Sequence, residues 1–137
     1  MPDCSVRILP EYGGQSDVEV DYGSGAPELA VEVALSNAAR DLGPKLRLYR
    51  AAGVQEYITV LVKEQRLIWR RLAGGDWVTL EPGPDGMQRS IVFPGLWLDP
   101  AALLRKDVPG VLEVLQRGLA LPEHREFVEK LAASRKS

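Results

Sequence analysis

The sequence predicts a single α/β domain, and three observations carry that prediction. Residues Glu28 to Tyr57, ELAVEVALSNAARDLGPKLRLYRAAGVQEY, read as a strand, a helix and a second strand. From Glu56 to Leu80 strongly β-prone runs alternate with short polar turns, the pattern of a meander. Beyond Pro100 the apolar residues fall at helical spacing.

The 137 residues suit one domain, since chains of ~100 to 200 residues usually bury a single core. Residues 1–105 are expected to form that core and 106–137 a helical extension. A hydrophobic fraction of 45% against 26% charged residues excludes wholesale disorder. No apolar run approaches the ~20 residues of a membrane helix, and the N-terminal MPDCSVRILPEYGG does not read as a signal peptide. The single cysteine, Cys4, excludes a disulfide framework and a cysteine-rich zinc site. The expected compartment is the cytoplasm, with no membrane partner. A net charge of -2 offers no global attraction to polyanions, so any nucleic-acid contact needs a local basic patch.

Taken in order, Cys4 to Leu9 alternate as a short half-buried strand, with Cys4, Val6 and Ile8 on one side. Asp3 shares the parity of Ser5 and Arg7 on the more polar side. Cys4 is expected to pack as a small apolar residue. Pro10 and Gly13-Gly14 end the strand, and Gly14 to Gly25 form a polar connection with a short extended piece at Val18 to Val20. A second strand over Leu29 to Leu35 puts Leu29, Val31, Val33 and Leu35 on one face and Ala30, Glu32 and Ala34 on the other. Leu42, Leu46, Tyr49 and Ala52 or Gly53 mark one face of a helix that Gly53 stops. Pro44 suits its first turn, because an interior proline costs roughly 3 kcal/mol. The helix is therefore expected from Pro44, or from Ala38 with a kink at the proline. Strands follow at Glu56 to Val62, Arg66 to Leu72, Trp77 to Leu80 and Arg89 to Phe93. A helical turn at Ala101 to Arg105 leads to a helix from Pro109 or Gly110 to Leu119 and a last one opened by Pro122.

Glu32 is the one ionisable group in LAVEVAL. A carboxylate there must find a metal, a cation or hydrogen bonds, or else be protonated. Lys45, near the start of the expected helix, sits where the helix dipole mildly disfavours a cation. Local rules broken in this way are expected at functional sites. A buried structural pair between Glu32 and Lys45 or an arginine accounts for the same residues.

The ordered landmarks Pro2-Asp3, Pro27-Glu28-Leu29, Val31-Glu32-Val33, Asp41, Lys45, Tyr49, Gly53-Val54, Glu56-Tyr57, Phe93-Pro94-Gly95-Leu96 and Leu98-Asp99 resemble those of a restriction endonuclease family. That family lies in the PD-(D/E)XK nuclease superfamily. The resemblance implies a restriction-endonuclease-like mixed central sheet flanked by helices, here with extra C-terminal helices. It implies Asp3 and Glu32 as metal-binding carboxylates and Lys45 as the catalytic lysine, moved to the helix from the strand position that Ala34 occupies here. Family members carry a substantial segment before Pro-Asp, where this chain has one residue. A partner subunit or a swapped element is therefore expected to cover the exposed sheet edge, making a homo-oligomer.

The chemistry follows from what phosphodiester hydrolysis needs: a nucleophilic water, charge stabilisation at the phosphoryl oxygens and help for the leaving group. Two carboxylates suit Mg²⁺, with Mn²⁺ as the alternative, and the metal lowers the pKa of water and polarises the phosphate. Lys45 would orient the water or neutralise developing charge. The expected function is metal-dependent endonuclease action on DNA. The rival is a catalytically inactive nuclease-fold module for interaction or regulation.

Other residue patterns carry less. Tyr49, Tyr57, Trp69, Trp77 and Trp97 could stack bases, but aromatic residues on strands and helices are more often core. Arg66, Arg70 and Arg71 with Lys63 make a small basic patch, more commonly a solvated face or a protected edge than a phosphate contact. His124 has no second ligand nearby and is expected at the surface. Gly13-Gly14-Gln15, Gly23-Ser24-Gly25 and Cys4 lack the context that hydrolytic, dinucleotide or nucleophilic roles require.

Overall fold

The computed structural model describes residues 4–15, 26–35 and 38–135, with side chains 38–42 outside the description. Five strands form one sheet in the order β1 (Cys4–Val6), β2 (Leu29–Ala34), β3 (Glu56–Leu61), β4 (Arg66–Ala73) and β5 (Asp76–Thr79). β2 and β3 run parallel because α1 (Ala38–Ala52) carries the chain back between them, and the other neighbours pair antiparallel. A small ribbon, β6 (Gln88–Arg89) with β7 (Trp97–Leu98), precedes α2 (Pro100–Leu104), α3 (Val108–Leu119) and α4 (Pro122–Ala133). This is a mixed α/β sheet of the restriction-endonuclease-like kind.

The period-two pattern separates two buried faces. Ala30 and Tyr57 pack with Tyr49, Val54 and Ala26 under α1, joined by Leu46, Ala52 and Trp77. Leu29, Ile58, Val60 and Trp69 line the opposite face and meet Phe93, Leu98, Leu103, Leu104 and Phe127. Phe127 of α4 meets Phe93 edge-on at 6.1 Å, which ties the last helix to the loop after β6. β3, central in the sheet, is buried along its whole length.

Several expectations are corrected. The first strand stops at Val6, and a short 3-10 turn at Pro10–Tyr12 takes up the following residues. Cys4 is exposed because it lies on a three-residue edge strand. α1 begins at Ala38, which leaves Pro44 inside it. The bond lost to the proline is offset further along, where Trp77 donates from Nε1 to the Leu46 carbonyl at 2.9 Å and Tyr49 is buried. Gly53 closes the helix at φ 89, with its N–H and that of Val54 returned to the Tyr49 carbonyl. The strand expected over Arg89 to Phe93 is only two residues long, because buried Glu56 takes the N–H groups of Ile91 and Val92 out of any ladder. The extended piece expected at Val18 to Val20 lies outside the described residues.

A second buried carboxylate, Glu28, also fastens a loop. Glu28 accepts from the N–H groups of Ile8 and Gln15, at 2.8 and 2.9 Å. The Gln15 side-chain amide then donates to the Gly53 carbonyl at 2.8 Å. Gly14 makes this turn possible, since a Cβ there would lie 1.7 Å from the Ile8 carbonyl oxygen. His124 is half-buried, its Nδ1 lying 3.1 Å from the Pro94 carbonyl under the Pro94-Gly95 turn.

Candidate functional site

Glu32 stands on the α1-facing side of β2, between Ala30 and Ala34, whose small side chains let the helix approach the sheet. Lys45 and Tyr49 are four residues apart on α1 and so share a helix face. Both reach the same carboxylate. Lys45 Nζ donates to Glu32 Oε2 at 2.9 Å, and the Tyr49 hydroxyl donates to Oε1 at 2.6 Å. The Glu32 side chain is 6% exposed and that of Lys45 41%, so the pair is buried at its anionic end and open to solvent at its cationic end.

Beside it on β3 stands Thr59, the register partner of Glu32, with Tyr57 on the same face. The Tyr57 hydroxyl is buried and has no hydrogen-bond partner among the described residues. Burial pushes its pKa above the ordinary tyrosine value; the Glu32 charge adds to this, while Thr59, Lys45 and Arg70 oppose it. One phenol therefore lies within electrostatic reach of Glu32, Lys45 and Arg70. Arg70 on β4 donates from Nη1 to Thr59 Oγ1 at 3.3 Å. Burial lowers its pKa, as does the neighbouring Arg66, while Tyr57 raises it.

Of the sequence-derived site residues, Glu32 and Lys45 come together across β2 and α1, and Asp3 lies outside the described residues. Among the described residues no three His, Cys, Asp or Glu side chains gather as a metal site. Glu32 nonetheless suits a hard divalent cation in kind, because its two oxygens keep lone pairs beyond those engaged by Lys45 and Tyr49. Tyr49, Thr59 and Arg70 were not among the residues singled out for the site. Tyr49 was accessible through its four-residue offset from Lys45; Thr59 and Arg70 depended on strand register.

The expected basic patch does not hold together. Arg66 and Arg70 share the parity of Ile68 and face the α1 side, whereas Arg71 is the register partner of Glu56 on the other face. Tyr49, Tyr57 and Trp69 are core residues.

The mixed five-stranded sheet, with α1 crossing over between parallel β2 and β3, has a restriction-endonuclease-like fold. Residues 1–101 match the Uma2 family, described as "Putative restriction endonuclease", and the chain belongs to that family. Family membership points to nuclease function. A search of curated proteins found no match. Among the described residues, no helix is long and apolar enough to cross a membrane.

Proposed function

We propose that this protein is a metal-dependent endonuclease that hydrolyses DNA phosphodiester bonds, with Glu32, Lys45 and Asp3 as its site. The observation that carries this reading is the 2.9 Å contact between Glu32 on β2 and Lys45 on α1, open to solvent on the lysine side. Glu32 and Asp3 would hold Mg²⁺ or Mn²⁺, which when bound supplies an acidified water and a polarised phosphoryl oxygen. Lys45 orients the attacking water or neutralises charge as it develops on the phosphate. Tyr49 fixes the carboxylate from the side away from solvent, so that Glu32 needs little reorganisation. The cytoplasm is the proposed compartment. A second copy against β1 completes the proposal, motivated by the edge position of β1 and the exposure of Val6 and Leu9 beside it.

The test is a cleavage assay on plasmid and linear DNA with Mg²⁺ or Mn²⁺, comparing the parent protein with Glu32→Ala and Lys45→Ala. Each substitution is expected to lower the rate by about 100-fold or more. Cleavage that survives both would remove these residues from the site. The engagement of both Glu32 oxygens by Lys45 and Tyr49 favours a second reading, a silent nuclease-fold module held by a structural ion pair. Absence of metal-dependent cleavage on any DNA form selects that second reading.

A further inference from the structure

We propose that Arg70, with Arg66 beside it, is the contact for a DNA backbone phosphate and sets where the phosphodiester lies relative to Glu32 and Lys45. This assignment rests on the nuclease reading for its substrate, and on strand register and charge pairing for its residues.

Register puts the pieces on one face. Glu32 pairs with Thr59, Tyr57 with Arg70 and Leu61 with Arg66, so both arginines project on the side of the sheet that carries Glu32. The Arg70 guanidinium leans back toward β3, where Thr59 Oγ1 accepts from it at 3.3 Å. Thr59 therefore ties the position of Arg70 to the row occupied by Glu32.

Charge pairing separates these arginines from three others in the chain. Arg7, Arg47, Arg71 and Arg117 likewise lack an ion pair among the described residues, and what singles out Arg66 and Arg70 is the face they share with Glu32. Arg50, Arg89 and Arg105 each lie within 3.1 Å of an aspartate oxygen, on Asp76, Asp85 and Asp107. Among the described residues neither Arg66 nor Arg70 has a carboxylate within ion-pair distance. A guanidinium has five N–H donors, and Thr59 uses one of Arg70's. Arg70 is half-buried, so its charge has lost part of its water without gaining an anion among the described residues, and Arg66 adds like charge from the same side. Protection of a sheet edge does not explain Arg70, because β4 lies inside the sheet and Arg70 pairs with Thr79 of β5. The planar fork of an arginine matches two phosphate oxygens at once, and a backbone phosphate is the anion a nuclease must bring to this face.

The test measures binding of a short DNA duplex to the full chain in EDTA, by fluorescence anisotropy over a series of salt concentrations. Arg70→Gln is expected to weaken binding about tenfold and to reduce the slope of log K against log salt by about 0.9, the loss of one phosphate contact. Arg70→Lys keeps the slope while losing affinity, because charge remains and the bidentate geometry does not. Arg66→Gln, at an exposed position where folding is not at stake, also reduces the slope by about 0.9. Arg117→Gln, exposed on α3, leaves both quantities unchanged. Slopes equal to the parent's in Arg70→Gln and Arg66→Gln, with circular dichroism showing folded protein, overturn the assignment, as does absence of duplex binding by the parent. Parent cleavage that depends on Glu32 together with unchanged slopes removes only the arginine contact. Arginine-dependent slopes without cleavage remove only the catalytic reading.

Discussion

Tyr49 on α1 and Glu32 on β2 are joined by a buried 2.6 Å hydrogen bond. The ring of Tyr49 packs edge-on against Tyr57 at 5.1 Å, so its hydroxyl is aimed by core packing. Tyr49→Phe keeps the ring and removes one donor from a buried carboxylate. A stability loss of roughly 1.5–3 kcal/mol is expected in urea denaturation, the range for hydrogen bonds to charged groups. A loss below about 0.5 kcal/mol would show that the bond contributes nothing net.

The Lys45 contact with Glu32 differs, because the lysine side chain is 41% exposed. Removing one partner of a fully buried pair costs about 3–5 kcal/mol. Solvent screening at the ammonium reduces the expectation for Lys45→Met to roughly 1–2 kcal/mol. Glu32→Gln combined with Lys45→Met should be less destabilised than the sum of the singles, by at least about 0.5 kcal/mol in a double-mutant cycle. Additive losses would mean that the two side chains are not coupled in solution.

Glu56 is fully buried and holds the segment after β6 through Ser90 Oγ and the N–H groups of Ile91 and Val92. Glu56→Ala removes the acceptor for all three donors at once. A loss of about 3 kcal/mol or more is expected, with the larger part retained by Glu56→Gln, which keeps one acceptor oxygen. Amide hydrogen exchange at Ile91 and Val92 should quicken in Glu56→Ala. Unchanged protection at both amides would refute the anchoring role.

Asp85 and Arg89 give the chain a pH-dependent contact, at 2.6 Å, between the loop over residues 81–86 and β6. The hydrogen bond from Arg89, then that from the Met87 N–H, lowers the Asp85 pKa from 3.8 to about 2. A depressed carboxyl stabilises the fold above its unfolded value of 3.8 and loses that contribution as pH falls through about 2. NMR titration of the Asp85 carboxyl should show a midpoint near 2 in the parent, moving up toward 3.8 in Arg89→Gln. Identical midpoints in the two proteins would remove Arg89 as the cause.

Much of the fold was legible from local pattern. Alternation in LAVEVAL put Glu32 opposite the apolar face, and the β-prone runs after Glu56 became β3, β4 and β5. Pro122 marked a helix start correctly because a missing N–H costs nothing there. Of the two starts expected for α1, Ala38 is the one observed, with tertiary anchoring at Leu46 and Tyr49 outweighing the helical bond lost at Pro44. The contact of His124 with the Pro94 carbonyl had no local sign, since a lone polar residue on a terminal helix does not announce its tertiary partner.

The sequence by itself determined that Glu32 would be an isolated carboxylate on a strand face, that Lys45 would follow on the crossover helix, and that the ordered landmarks belong to a nuclease family. Period-two alternation and motif spacing are local properties, so they survive without coordinates. Only the tertiary structure decided that Lys45 and Tyr49 reach the same carboxylate and that Glu28 and Glu56 are loop anchors. It also separated Arg66 and Arg70 from Arg71 and set them on the face of Glu32. These depend on register between β2, β3 and β4 and on where α1 crosses them, and a one-residue slip in any strand would send each side chain to the other face.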